Sequence, residues 1–317
     1  MGSLKLLASE RSVGKTYTFA GKTYTVELAT PETFEGVDIA FFSAGASRSK
    51  ALAPAAVEAG ALVVDNSSAF RMDPNVPLVV PEINGNAVNP ATRLIAVPNC
   101  SAIILLMAVA PLRELGTLDR LIVSTYQSAS GGGAAMMREL EDQTRDALNG
   151  VESVNRNESF PPYAFNLFSH NTPINDDGCN EEEAKVVAES RKILNMQELK
   201  VNVTCVRVPV LRAHSESVTV EFAGAAPSVE QVREVLSRAP GVTVVDDRAG
   251  NKFPTPRDAS GGDNVLVGRI RKDLSHPNAI SMFVSGDQLL KGAALNAVQI
   301  AEHMLNLGQP AKHEQFA

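Results

Sequence analysis

Val37-Asp38-Ile39-Ala40-Phe41-Phe42-Ser43-Ala44-Gly45-Ala46-Ser47 is the stretch that decides the fold. Its first six residues read as a continuous apolar strand of the kind buried in a parallel sheet. The strand runs into a loop of small residues, and a helix containing Ala and Glu follows to Glu58. Leu62-Val63-Val64-Asp65 is the next strand, ending in Asn66-Ser67-Ser68-Ala69-Phe70-Arg71. Two such strand–loop–crossover units in succession indicate an α/β doubly wound sheet, with ligand expected at the carboxyl ends of its strands. Upstream, Leu4 to Leu7 reads as a short buried strand. Ala8-Ser9-Glu10-Arg11-Ser12-Val13-Gly14-Lys15 is then a loop that suits either a bound phosphate or a solvated turn. Tyr17 to Phe19 and Tyr24 to Val26 flank Ala20-Gly21-Lys22 as a hairpin.

Downstream of a third strand, Leu94-Ile95-Ala96, stands Pro98-Asn99-Cys100-Ser101, followed by an apolar run to Leu112. Pro98 bars a helix just before it, and the run is dense enough to be buried, so Cys100 falls where a loop turns into a buried helix. A thiol there faces unpaired N–H groups and the positive end of the dipole, which favours the thiolate. The competing reading is a buried cysteine acting as a small hydrophobe.

The pattern then changes. Leu121 to Tyr126 is a strand, Gln127-Ser128-Ala129-Ser130-Gly131-Gly132-Gly133 a glycine-rich turn, and a helix runs to about Asn149. Residues 149–180 are loop-rich and 181–194 form a helix. Strands recur at 203–208, 218–222, 242–245, 265–270 and 280–284, with one helix near 228–237. This reads as an α+β domain, an antiparallel sheet faced by helices, closed by a long helix at 289–307.

A chain of 317 residues suffices for two domains. A net charge of −7 argues against a general affinity for nucleic acid or acidic membrane, and no apolar run reaches the length of a membrane span. Cys100, Cys179 and Cys205 show neither metal-type spacing nor a disulfide framework, which suits free thiols in a reducing compartment and predicts no metal. Met1-Gly2-Ser3 leads straight into Leu4-Lys5-Leu6-Leu7, which reads neither as a charged-then-apolar signal nor as an Arg/Ser-rich transit segment.

Candidate functional residues lie at element ends. Gln127 closes a strand, where its amide suits orienting an acyl group or simply making a turn. Glu182 and Lys185 share a helix face and fit either one cleft or a surface ion pair. Arg207, inside Cys205-Val206-Arg207-Val208, needs an anion, supplied by a substrate carboxylate or by a protein one. His214 is one of five histidines and the first candidate for the base of a Cys/His pair.

These motifs, in chain order with Phe42-Ser43-Ala44-Gly45, Phe253-Pro254-Thr255-Pro256, Val267-Gly268-Arg269-Ile270 and Gly286-Asp287-Gln288, resemble aspartate-semialdehyde dehydrogenase over essentially the whole chain. Residues 164–170, ending in His170, and 291–302 look most like its plant-type branch. The resemblance implies a Rossmann-like NADP-binding domain at 1–100 and 288–317, and an α+β catalytic and dimerisation domain at 101–287. It implies Cys100 as nucleophile, His214 as general acid/base and Gln127 as the residue orienting the acyl group. Arg207 would clamp the substrate α-carboxylate, with Glu182 near its amino group. Arg71, Asn99 and Lys185 would hold phosphate. Ser9, Arg11, Ser12, Ser43, Ala44, Gly45, Asn66, Ser130, Gly131 and Gln288 would contact NADP.

The implied reaction is reductive dephosphorylation of 4-phospho-L-aspartate to L-aspartate 4-semialdehyde through a Cys100 thioester, in the biosynthesis of lysine, threonine, methionine and isoleucine. A homodimer is implied, in bacterial cytoplasm or alternatively plastid stroma. Relatives of this kind begin with a strand and a glycine-rich turn that holds the pyrophosphate. That unit is absent from the chain as written, so weak NADP binding, marginal stability and two unpaired neighbouring strands are expected. The alternatives are an inactive relative with a structural or binding role, and an enzyme resembling N-acetyl-γ-glutamyl-phosphate reductase.

Overall fold

The computed structural model describes residues 2–151 and 161–307. Residues 152–160, within the loop-rich stretch, and 308–317, the end of the expected 288–317 segment, lie outside the described residues. In chain order the first half holds β1 (Leu6–Ala8), β2 (Thr16–Phe19), β3 (Lys22–Leu28), β4 (Ile39–Phe42), α1 (Ala46–Glu58), β5 (Leu62–Asp65), α2 (Pro81–Asn84), β6 (Leu94–Ala96) and α3 (Cys100–Val109). The second half holds β7 (Leu118–Gln127), α4 (Ala134–Leu148), β8 (Phe168–Ser169), α5 (Glu181–Leu194), β9 (Lys200–Arg207), β10 (His214–Phe222), α6 (Val229–Arg238), β11 (Val242–Val244), α7 (Pro256–Ala259), β12 (Val265–Lys272), β13 (Ala279–Gly286) and α8 (Leu295–Leu307).

The β4-β5-β6 sheet is wholly parallel, so the loops after all three strands emerge at one edge. The hairpin of β2 and β3 forms as expected, and β1 adds to it in parallel, giving a separate sheet ordered β1-β3-β2. Among the described residues β1 pairs only with β3 and β4 only with β5. The first strand begins two residues later than the sequence suggests and is half-buried rather than buried. Phe41 is half exposed for the same reason: its strand lies at a sheet edge, and only Ala40 and Phe42 face inward.

The large sheet is ordered β11-β12-β13-β10-β7-β9-β8. Along β7 the buried Leu121, Val123, Thr125 and Gln127 alternate with the half-buried Ile122, Ser124 and Tyr126, the period-2 signature of a strand with one core face. The expected antiparallel sheet is corrected to a mixed one. β7–β9 and β11–β12 are parallel, while the central β12–β13, β13–β10 and β10–β7 pairs are antiparallel. The long connection through α4 and α5 returns the chain to the starting end of β7, as a crossover must.

Helix α3 joins the halves. Every residue from Ser101 to Val109 is buried, as expected for a helix that is apolar all round. One continuous core runs from Val64 and Ile95 of the parallel sheet through Ile103–Val109 to Val123, Val218 and Met282 of the large sheet. A smaller cluster of Phe34, Ala40, Phe42, Ala53, Ala56, Ala61 and Val63 lies under α1. The expected closing helix is broken: 290–294 form a π-helical turn before α8 begins. Among the described residues no helix is long and apolar enough to cross a membrane, and no group of three His, Cys, Asp or Glu is placed to hold a metal ion.

Candidate active site

Asn99 is the N-cap of α3. Its Oδ1 accepts from the N–H groups of Ser101 (2.9 Å) and Ala102 (3.2 Å), which fixes where the helix begins and sets Cys100 at its first position. Across the cleft, β10 starts with His214, and its Nε2 lies 3.6 Å from Cys100 Sγ. The Cys/His pair expected from sequence therefore exists, carried by a helix start and a strand start 114 residues apart.

The expected thiolate does not. The sulfur is so closely surrounded by protein that desolvation, followed by the negative charge of Glu182, pushes the Cys100 thiol up to about 12. Arg207, Arg71 and the Ser101 N–H pull the other way and are outweighed. The helix-terminus effect is confined to about the first turn and is modest, whereas burial acts on the whole charge. His214 is held well below its ordinary value, first by burial and then by the charges of Arg207 and His170. The resting pair is a thiol beside a neutral imidazole.

The ring's orientation is set by Ser128, which the sequence reading passed over inside the glycine-rich turn. Its backbone N–H donates to His214 Nδ1 (3.0 Å), so the neutral ring carries its proton on Nε2, facing the sulfur. Ser128 Oγ, 3.1 Å from the same Nδ1, is available as acceptor when that nitrogen is protonated. Ser130 Oγ lies 3.0 Å from Ser128 Oγ and accepts from Gln288 Nε2. Gln288 in turn accepts the Ala213 N–H just before His214. Gly131 passes so close that a Cβ there would sit 3.0 Å from both Arg207 Nη1 and His214 Cε1. Ser130, Gly131 and Gln288 thus gather on the His214 side of the cleft.

A second group occupies the Cys100 side. Buried Gln127 donates to Ser101 Oγ (2.6 Å) and Glu182 Oε1 (3.1 Å), and Asn99 Nδ2 donates to the same Glu182 oxygen (2.9 Å). Burial works to raise the Glu182 carboxyl, but the His170 imidazole, the two amide donors and Lys185 hold it below the ordinary range. Glu182 therefore points inward, and Lys185 pairs not with it but with Glu181 on the surface, 3.5 Å away.

Arg207 is buried on β9, and among the described residues no carboxylate pairs with it. Of its five N–H donors, one on Nη1 reaches the Ser128 carbonyl (3.1 Å) and one on Nη2 reaches His170 Nε2 (2.7 Å); Nε is buried without a partner. Of the two readings left open by sequence, the protein carboxylate is absent from the described residues, and the guanidinium retains donors for an outside anion.

Arg71 enters from the loop after β5. Its Nη1 pairs with Glu189 (3.1 Å), its Nη2 donates to the Asn66 carbonyl (3.0 Å), and its Nε is buried without a partner among the described residues. Glu189, invisible to sequence reasoning, also accepts the Asn99 N–H at 2.5 Å, so one carboxylate ties Arg71 to the cap of the nucleophile's helix. Lys192, one helical turn on, donates to the carbonyls of Arg71, Asp73 and Val76 at 2.7–2.8 Å and fixes that loop. Gly292, in the π-helical turn, lets the chain pack on the nucleophile: a Cβ there would lie 3.0 Å from Cys100 Cβ. Beside it Lys291 is fully buried, its ammonium satisfied by Glu82, Asn296 and Gln299.

Ser43, Ala44 and Gly45 are exposed at the carboxyl end of β4 and lead into α1, with Gly45 at φ 91°. Asn66 follows β5 and keeps a buried Oδ1 without a partner among the described residues. Ser9, Arg11 and Ser12 follow β1, apart from the Cys100 network, around a single 3-10 turn. The β4 and β5 loops end neighbouring strands, as an extended ligand requires, whereas β1 lies in a separate sheet. The unpartnered Asn66 oxygen and the glycine cradle at Gly131 fit a dinucleotide running from the β4 and β5 loops to the Cys100–His214 pair.

Comparison with known proteins agrees. Residues 1–91 match the family described as semialdehyde dehydrogenase, NAD binding domain, and residues 109–291 match semialdehyde dehydrogenase, dimerisation domain. The chain is 51% identical over 309 residues to an aspartate-semialdehyde dehydrogenase of Synechocystis sp., covering 97% of this chain and 90% of that one. The crystal structure of aspartate semialdehyde dehydrogenase II complexed with ASA from Vibrio cholerae superposes with a TM-score of 0.90 at 44% identity, over 95% of this chain and 89% of that one. The aspartate semialdehyde dehydrogenase with NADP from Candida albicans follows at 0.73 and 25% identity, over 96% and 91%. With a thiol, an imidazole and a guanidinium that no carboxylate among the described residues neutralises converging on one cleft, and this likeness running nearly end to end, the chain belongs to the aspartate-semialdehyde dehydrogenase family.

Proposed function

We propose that this chain catalyses the NADP-dependent interconversion of 4-phospho-L-aspartate and L-aspartate 4-semialdehyde, a step in the biosynthesis of lysine, threonine, methionine and isoleucine. The observation that carries this reading is the 3.6 Å Cys100–His214 contact beside an Arg207 that no carboxylate among the described residues pairs with. In the biosynthetic direction Sγ gives up its proton and attacks the acyl carbon. The bond to phosphate breaks, and an acyl thioester remains on Cys100. Arg71, Asn99 and Lys185 hold the leaving phosphate. Arg207 clamps the α-carboxylate, Glu182 receives the amino group, and Gln127 orients the acyl carbon.

NADP, when bound along Ser9, Arg11, Ser12, Ser43, Ala44, Gly45, Asn66, Ser130, Gly131 and Gln288, supplies hydride in reduced form, to which a thioester is open and a carboxylate is not. His214 acts at both ends. With its proton on Nε2 it protonates the departing sulfur or the developing oxyanion. To take the thiol proton it must shift to the Nδ1–H form, in which the Ser128 N–H gives up its contact with Nδ1 and Ser128 Oγ becomes the acceptor. The proposed domains are 1–100 and 288–317, mainly for the cofactor, and 101–287, mainly for chemistry and assembly, with Cys100 at the boundary and Ser130 and Gly131 reaching across it. The match to a dimerisation domain and the half-buried outer face of the large sheet support a homodimer.

The test is direct. The purified chain should oxidise L-aspartate 4-semialdehyde with NADP in a strictly phosphate-dependent way, and Cys100→Ser should abolish turnover while leaving the thermal transition in place. No turnover, or turnover that survives the substitution, would sink the reading.

A further inference from the structure

His170 is buried, lies outside every role assigned so far, and makes the shortest contact to Arg207 (2.7 Å). A guanidinium can only donate, so His170 Nε2 must be an unprotonated acceptor, and the ring proton sits on Nδ1, aimed at Thr172 Oγ1 3.3 Å away. Thr172 Oγ1 also accepts the Glu182 N–H at 3.4 Å, tying the ring to the first turn of α5. The backbone N–H of His170 donates to the Cys205 carbonyl of β9, so the ring is anchored on the strand that carries Arg207.

We propose that His170 is a positioning residue for substrate recognition: by accepting one Nη2 hydrogen it fixes the plane of the Arg207 guanidinium and aims the remaining donors at the α-carboxylate of the substrate. The proposal rests on the functional reading above. The Ser128 carbonyl holds Nη1 and His170 holds Nη2, so the guanidinium is gripped at two points with Nε left over. Such a grip matters because a bidentate clamp loses its value when its plane can rotate. The ring is suited to the task only while neutral. The groups around it are Arg207 on β9, Glu182 and Lys185 on α5, and His214 on β10. Burial first, and then the Arg207 charge, lower His170 to about 4; Glu182 works the other way and Lys185 adds to the lowering. Throughout the neutral pH range the acceptor is therefore in place.

The experiment compares His170→Ala with His170→Gln, whose Oε1 can replace Nε2 as acceptor. His170→Ala should raise KM for L-aspartate 4-semialdehyde about 10- to 100-fold, the effect of losing one charge-assisted hydrogen bond from a binding group, with KM for phosphate nearly unchanged. His170→Gln should restore most of that loss. An unaltered KM in His170→Ala, or equal damage in both variants with phosphate KM raised as well, overturns the proposal. Ring 15N spectra of histidine-labelled protein give a readout independent of turnover. His170 should show a protonated Nδ1 and an unprotonated Nε2, and a proton on Nε2 would overturn the proposal whatever the kinetics. An unmodified chain without turnover counts against the functional reading alone, and the ring spectrum then decides this one.

Discussion

Cys100 keeps its proton at rest because burial and the charge of Glu182 raise its thiol to about 12, so only a small fraction is thiolate at neutral pH. The sign matters for reactivity. A raised thiol gains thiolate steadily as pH rises, whereas a lowered one is already saturated. Alkylation of Cys100 by iodoacetamide, followed peptide by peptide to keep Cys179 separate, should climb about tenfold per pH unit from about pH 7 to 10 without levelling off. A plateau near neutrality would mean a standing thiolate and would reverse this account. The nucleophile's place was legible from Pro98 and the apolar run, but its protonation state was not. The groups that desolvate and repel it, Glu182 above all, arrive from another part of the chain. Arg207 was readable as an arginine in need of an anion. Its actual partners, Ser128 and His170, lie 79 and 37 residues away and left no local signal.

At the level of elements, α5 shows what periodicity reveals and what it hides. Its boundaries, 181–194, agree with the sequence reading, and the structure shows what sets them: Asn180 and Glu183 form a capping box and Asn195 ends the helix in a left-handed turn. Its function was only partly legible: Glu182 stood out as a candidate for the cleft, but Glu189 and Lys192 look like ordinary surface charge until the fold turns them onto the Asn99 cap and the Arg71 loop. Strand direction was hidden for a related reason: alternation marks which face is buried and says nothing about which neighbour pairs, so the parallel β7–β9 contact could not be seen. β10 carries a further anomaly. Glu216 is fully buried in register with Thr125 of β7 and Val284 of β13, and neither carboxylate oxygen has a partner among the described residues. Burial alone raises it well above its ordinary 4.5. Below that value the carboxyl is neutral in folded and unfolded chain alike, with no penalty. Above it the unfolded chain ionises while the fold resists, so stability is lost as pH rises. Glu216→Gln should therefore raise Tm at pH 7–8, by about 2 °C for each kcal/mol relieved, and the gain should vanish towards pH 4. A gain of equal size at both ends would show that ionisation is not its cause.

Taken as a whole, the molecule distributes its stability unevenly, and the cofactor loops lie at the weaker end. The main core runs without interruption from β5 and β6 through α3 into the large sheet, so these parts should open together. The region of β4 and α1 instead rests mainly on the smaller Phe34–Phe42 cluster, and β4 is hydrogen-bonded on one side only among the described residues. The first β–loop–helix unit was legible in sequence because it is local. Its one-sided pairing matches the unpaired neighbouring strands expected from sequence, whereas its reliance on the smaller Phe34–Phe42 cluster was not legible, because that depends on what packs over the sheet. Native-state hydrogen exchange followed by mass spectrometry should show α1 and β4 opening at a lower free energy than α3, β7 and β10. Since ligand binding stabilises whatever must be ordered to bind it, added NADP should raise protection most at 39–58 and 62–71. If α1 and α3 exchange as one unit, or if NADP protects the large sheet and leaves those loops untouched, the division of the molecule drawn from its two cores is wrong.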